Sequence, residues 1–367
     1  MIAFIVILPI LLFYLVIGVW AERKIAGFIQ DRLGPMEVGY KGLLQTVADA
    51  LKLIQKEEIV AYPIDKKIFL MAPVLIFVSV FAGFAVLPMA PKLIGSSLEI
   101  GLFYMIAIIS LDVVGILLAG WSSNSKYAVY GAMRGVAQII SYEVPLGLTV
   151  LSMVIISQTL DLQEMCFQQS IFVSEKTNYL LGITSIDISK VGGFLTWNII
   201  RFPFSFIVFI IFFITTLAES NRAPFDLSEA ESELIGGFQT EYGGFRWSVV
   251  MLGEYAMMLL TALLGVILFF GGWATPLPNI VISDIGGLYL ANWTSGIVGD
   301  FSGYFWGVFW FVSKGSVWIF TQMWVRWTYP RLRIDQLMYL AWKVLTPFSL
   351  VMVLIACIWK MLMFNAG

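Results

Sequence analysis

The stretch Glu219-Ser-Asn-Arg-Ala-Pro-Phe-Asp226-Leu-Ser-Glu229-Ala-Glu231-Ser-Glu233 places five carboxylates within fifteen residues, and Glu241 adds a sixth to the same segment. Like charges set this close repel one another, which raises the proton affinity of some of them. Groups that take up and release protons, or that hold cations, need this property. The chain around them makes the cluster costly: 59% of its residues are hydrophobic and 13% charged, against about 25% charged in a soluble domain. A charge beside a bilayer is expensive and is read as functional by default. The spacing also fits helix capping, with Asp226 and Glu229 or Ser228 and Glu231 as the paired positions. Glu229 and Glu233 share a helical face and repel slightly. Glu219 ends an apolar run, and Arg222, three residues on, is its expected ion-pair partner.

Four further charges fall inside apolar runs. Glu143 stands just before Pro145, and Glu254 lies within a second run. A charge at the centre of a spanning helix costs roughly 2.5–3.5 kcal/mol on insertion scales, so such residues face a cavity or a partner. Pro145 loosens the backbone hydrogen bonding nearby and admits water. A proton path is the expected role for Glu143 and Glu254, with buried structural hydrogen bonding as the plainer alternative. Asp112 and Lys314 carry opposite charges in two other runs, which makes Lys314 a candidate counter-charge for Asp112.

Several chemistries are excluded. The chain has no histidine and two cysteines, Cys166 and Cys357, whereas haem, iron–sulfur and zinc sites draw on both residue types. No glycine-rich phosphate loop is present. Any redox carriers therefore belong to other subunits. No Lys/Arg-rich tract points to nucleic acid.

The elements that must position these residues are membrane helices. About 20 apolar residues cross a bilayer. Eight spans are expected, at 2–21, 68–90, 98–121, 137–160, 199–218, 246–273, 302–325 and 338–364, giving an all-α polytopic membrane protein of one domain over 1–367. The run from Met1 to Trp20 lacks a basic residue and reads as a retained first span. Segment 22–67 holds eight basic residues, and the connections at 122–136, 219–245 and 326–337 carry further Lys or Arg, whereas 91–97, 161–198 and 274–301 carry few or none. The positive-inside rule puts the first set in the cytoplasm and both termini outside. Segment 43–56 is too polar to span. Leu43, Leu44, Val47, Leu51 and Ile54 share one face and Gln45, Thr46, Asp49, Lys52, Gln55 and Lys56 the other, the pattern of an amphipathic helix lying on the inner surface.

Long ordered blocks carry a family likeness. Glu22-Arg-Lys with Gln30-Asp-Arg-Leu-Gly-Pro35 and Gly42-Leu-Leu-Gln-Thr-Val-Ala-Asp49-Ala-Leu-Lys52 resembles the start of membrane subunit 1 (the H subunit in bacteria) of respiratory complex I, the NADH:quinone oxidoreductase. Gly120–Lys126 with Arg134–Glu143, Leu217–Asp226 through Glu241-Tyr242, and Arg326–Met338 through Trp342-Lys343 extend the resemblance over all four basic segments. It is weaker in 161–198 and 274–301.

The resemblance implies a subunit that joins the membrane arm to the hydrophilic arm, in the bacterial inner membrane. Quinone, ubiquinone or menaquinone, would enter between the first span, the amphipathic helix and the sixth span. NADH, FMN and the iron–sulfur clusters would belong to partner subunits, with antiporter-like membrane subunits beside this chain and no activity expected of it alone. On this reading Glu22, Arg23, Arg32, Asp49, Arg222, Phe225, Arg326 and Arg331 line the quinone chamber. Glu143, Glu219, Asp226, Glu229, Glu231, Glu233 and Glu254 form the proton path. For the arginines, simple obedience to the positive-inside rule remains an alternative. Two other functions stay open: the membrane subunit of a related hydrogenase or formate hydrogenlyase, and a stand-alone cation/proton antiporter.

Overall fold

The computed structural model describes residues 2–60, 64–172, 180–183, 186, 188, 191–228, 231–279, 281–282 and 288–365. In chain order the helices are α1 (Ile2–Ile29), α2 (Gln45–Gln55), α3 (Lys66–Gly83), α4 (Gly101–Ile109), α5 (Leu111–Ser122), α6 (Lys126–Ser157) and α7 (Leu162–Gln168). They continue with α8 (Asn198–Arg201), α9 (Ser205–Glu219), α10 (Glu231–Leu234), α11 (Gly244–Phe269), α12 (Leu290–Ser295), α13 (Phe301–Thr328), α14 (Ile334–Tyr339) and α15 (Thr346–Asn365). The extended structure described is a two-residue antiparallel pairing of Val281–Ile282 with Leu288–Tyr289.

Among the described residues, five helical runs are long and apolar enough to cross a membrane: Lys66–Val86, Gly101–Ser122, Lys126–Ser157, Gly244–Phe269 and Ile334–Leu362. In such runs the backbone polar groups are satisfied within the helix, which is what hydrocarbon demands. Helices also cover the expected spans at 2–21, 199–218 and 302–325, the one at 199–218 being apolar but shorter than the five. The case of 199–218 has a local cause. Phe202 precedes Pro203 and is extended, as the clash with a following proline ring requires, so α9 starts at Ser205 and runs only 15 residues. At 1.5 Å per residue that is about 22 Å. α6 departs the other way, beginning at Lys126 and extending 32 residues through Pro145.

α11 is the axis of the fold. From Gly253 to Phe269 every residue is buried, and α3, α9 and α13 lie against it. Close approach is won at glycines: a Cβ on Gly265 would collide with the Trp318 ring of α13. Phe209, Phe212, Phe269, Phe270 and Trp318 fill the seam, largely edge to face. The acidic segment is seated on α6 in the same way, since a Cβ on Gly131 would come within 2.7 Å of the Gly237 backbone.

Near one end of α1, α2 forms the amphipathic helix expected at 43–56. Leu43, Leu44, Val47, Leu51 and Ile54 are all exposed. The opposite face turns inward: Thr46 Oγ1 donates to the Val16 carbonyl of α1 at 3.1 Å.

Candidate functional site: two cavities beside buried carboxylates

α1, α2, α11 and α13 enclose a cavity of about 370 Å³. Six of the residues expected to line a chamber do line it: Glu22, Arg23, Arg32, Asp49, Arg222 and Arg326. At its deep end Glu22 is buried and fully engaged. Tyr255 of α11 donates its hydroxyl to Glu22 Oε2 at 2.5 Å, Arg326 of α13 donates to Oε1, and the Arg222 guanidinium stands 3.6 Å away. Arg222 also lies over the Tyr255 ring, 4.2 Å from its centroid. A carboxylate with two guanidiniums and a phenol is held charged and fixed, because both of its oxygens have donors and its charge is more than matched.

The outer end of the cavity is tied more loosely. Arg23 of α1 donates to Asp49 of α2 at 2.6 Å, and Gln45 Nε2 adds a second bond at 3.1 Å. Partial burial pushes the Asp49 carboxyl up, but the hydrogen bonds from Arg23 and Gln45 outweigh it and hold the group below the usual carboxylate range. The rest of the wall is apolar, with Met251, Leu252, Trp247 and Leu53. A flat ring with a polar edge suits such a site.

A second cavity, of about 330 Å³, is lined by Glu143 of α6 and Glu219 at the end of α9, with Phe103, Ile106, Phe212 and Leu264 around them. Asp112 of α5 is close enough to both to act on them electrostatically. Each of these three carboxylates has a buried oxygen without a hydrogen-bond donor: Asp112 Oδ1, Glu143 Oε1 and Glu219 Oε2. Among the described residues, none of the three has a basic partner within ion-pair distance. The two cavities meet through the chain itself, because Glu219 lines one and Arg222 the other. Gln138 of α6 fixes this corner by donating to the Ala218 carbonyl at 2.8 Å and to Asn221 Oδ1 at 3.3 Å.

Other expected site residues lie elsewhere. Asp112 and Lys314 do not pair. Lys314 Nζ donates to the carbonyls of Phe270, Gly272 and Ala274 at 2.7, 2.9 and 2.6 Å, so it caps the chain leaving α11, where a cation complements the helix dipole. Glu219 and Arg222 are not paired either; among the described residues, the carboxylate that Arg222 meets is Glu22. Phe225 is buried edge to face against Tyr142, 5.3 Å between centroids, and lines neither cavity. Arg331 also lies off the chamber, bound to Asp226 at 3.0 Å. Glu254 is buried in its own place, accepting from Gln239 Nε2 at 2.8 Å. Glu233 bonds Arg134 at 2.5 Å on the surface. Glu229 and the Glu231 side chain fall outside the described residues.

Tyr255 is the side chain at Glu22 that sequence reasoning missed. A phenol within an apolar run needs a hydrogen-bond partner, and that signal sat one residue beyond Glu254. Among the described residues, no group of His, Cys, Asp and Glu is arranged to hold a metal ion.

With this geometry in view, comparison with known proteins is specific. A family model described as NADH dehydrogenase matches residues 1–357. The NADH-quinone oxidoreductase H subunit numbered 2 of Cytophaga hutchinsonii is 57% identical over 358 residues, 96% of this chain and 97% of that protein. The NADH-quinone oxidoreductase H subunit of Chlorobaculum tepidum is 49% identical over 350 residues, covering 95% and 89% of the two chains. The corresponding protein of Brevibacillus brevis, of the same name, is 40% identical over 357 residues, covering 97% and 92%.

Proposed function

The chain belongs to the NADH dehydrogenase family of membrane proteins, those called H subunits of NADH-quinone oxidoreductase, and from that premise we propose that its first cavity is the quinone chamber and its second the start of the proton path. Like its relatives, the chain is a membrane component of an oxidoreductase complex. Electrons would reach the quinone from NADH through FMN and iron–sulfur clusters held by the hydrophilic partner subunits, with antiporter-like subunits continuing the membrane arm. The setting would be the bacterial inner membrane, with both termini outside.

The observation that carries the reading is the juxtaposition across residues 219–222. Arg222 stands in the charged wall of the first cavity, and three residues earlier Glu219 stands among the carboxylates of the second. Reduction of a quinone leaves negative charge near Arg222 and Arg326 until protons arrive. That charge competes with Glu22 for the two guanidiniums, and the altered field reaches Glu219 across low-dielectric protein. Coupled carboxylates respond as a set, so a change at Glu219 redistributes protons with Glu143 and Asp112. The arms of the complex would thus be linked by electrostatics, with the protein supplying fixed charge on one side and mobile protons on the other.

The test is Glu219→Gln in the assembled complex in sealed vesicles, with quinone reduction and proton translocation measured together. The expected result is retained assembly with fewer protons moved per quinone reduced. An unchanged ratio removes Glu219 from the path.

A further inference from the structure

A third cavity, of about 770 Å³, lies between α1 and α13. It is separate from the chamber yet continuous with its walls. On α1 the chamber is lined by Val19, Glu22, Arg23 and Ala26, and the third cavity by Ile10, Phe13, Tyr14 and Ile17. The two quartets have the same spacing and are offset by nine residues, about two and a half turns at 3.6 residues per turn, so they occupy opposite faces of the helix.

α11 and α13 behave differently. Ser248, Met251 and Tyr255 of the chamber run on to Leu259 and Leu263 of the third cavity in steps of three and four, along one face of α11. Arg326 and Ile319, seven apart, do the same on α13. One trough therefore runs along α11 and α13, and α1 lies across it as a strap with a cavity on either side.

Tyr14 marks the crossing. Its ring lines the third cavity, and its hydroxyl is buried without a hydrogen-bond partner, within electrostatic reach of Arg222, Tyr255 and Glu22. The third cavity itself has no charged side chain in its wall. Its serine hydroxyls are spent on their own helix, Ser313 on the Phe309 carbonyl at 2.6 Å and Ser316 on Val312 at 2.8 Å. Such a groove has no charged group with which to grip a lipid headgroup. What fits is a long apolar chain whose polar end is held elsewhere, and the polar site along the same trough is the chamber.

We propose that the trough beyond Tyr14 is a berth for the polyisoprenoid tail of the quinone, with the strap α1 dividing head from tail. This rests on the chamber reading above. The test uses the assembled complex in liposomes, comparing a quinone with a long isoprenoid tail and an analogue with a short alkyl tail. Val312→Trp, which fills the groove, should raise the KM for the long-tailed quinone several-fold and leave that for the short-tailed one unchanged. An equal change for both, as expected of a groove filled by bilayer lipid, overturns the proposal, as does no change. A wild-type complex that reduced neither quinone would sink the chamber reading itself. Independently of any variant, a photoreactive group at the far end of the long tail should cross-link to residues 301–319 or 10–17. Cross-links confined to 43–55 and 245–255 would place the tail in the lipid beside α2 and contradict the berth.

Discussion

Glu22 and Glu219 are both buried glutamates near the same loop, and they are built for opposite behaviour. Glu22 has two guanidiniums and a phenol around it. Glu219 has two other carboxylates within reach, no ion-pair partner among the described residues, and an oxygen without a donor. A paired charge resists change because neutralising one member strands the other, whereas clustered carboxylates can share or exchange protons. The first region is thus a fixed electrostatic frame around a cavity fit for a ring. On the proposed function, the second would be a reservoir whose protonation follows the field of the first.

The comparison breaks most sharply at the frame. Arg222→Met takes from the buried Glu22 one of its two guanidiniums, and removing one partner of a buried pair costs up to about 3–5 kcal/mol. The expected outcome is loss of the assembled complex, or a strongly lowered thermal transition, read by native gel and calorimetry. The same apolar exchange in the reservoir should do little to stability: Glu219→Leu removes a carboxylate with an unsatisfied oxygen, so assembly persists while proton translocation falls. If Glu219→Leu destabilised the complex as much as Arg222→Met, the distinction between frame and reservoir would fail.

A smaller effect sharpens the frame. Tyr255→Phe deletes one hydrogen bond to a charged acceptor, about 1.5–3 kcal/mol. It should lower stability modestly and alter quinone KM while Glu22 keeps both arginines. The smallest effect is at the outer end. The Arg23–Asp49 pair is partly exposed, so Asp49→Asn should cost no more than about 1 kcal/mol. Because the folded state depresses the Asp49 proton affinity, its contribution is complete above the ordinary carboxylate range and is lost only as pH falls through the depressed value. A probe distance between α1 and α2 should accordingly stay constant around neutral pH and lengthen only in acid. Lengthening at neutral pH would refute this tether.

Much of this was legible in the sequence because residue type and spacing carry it. The alternation of Leu43, Val47, Leu51 and Ile54 with Asp49 and Lys52 describes α2 on its own. The basic residues of 22–67 and 326–337 supply much of the first cavity's charge. What sequence could not supply was which element meets which. Asp112 and Lys314 look complementary on paper, but Lys314 answers the open carbonyls after α11, and Asp112 stands near Glu143 and Glu219. Phe225, adjacent to a proline in a polar motif, reads as a wall for a ring, yet its apolar bulk is spent against Tyr142. The late start of α9 was readable in Arg201-Phe202-Pro203, where the proline disfavours helix at the residue before it.

The most direct test of the central claim is an infrared difference spectrum of the assembled complex on quinone reduction, in the region of protonated carboxyl groups. The account predicts a band change in the wild type that disappears in Glu143→Gln/Glu219→Gln. A band change that survives in the double variant would show that the second cavity does not take up or release the protons.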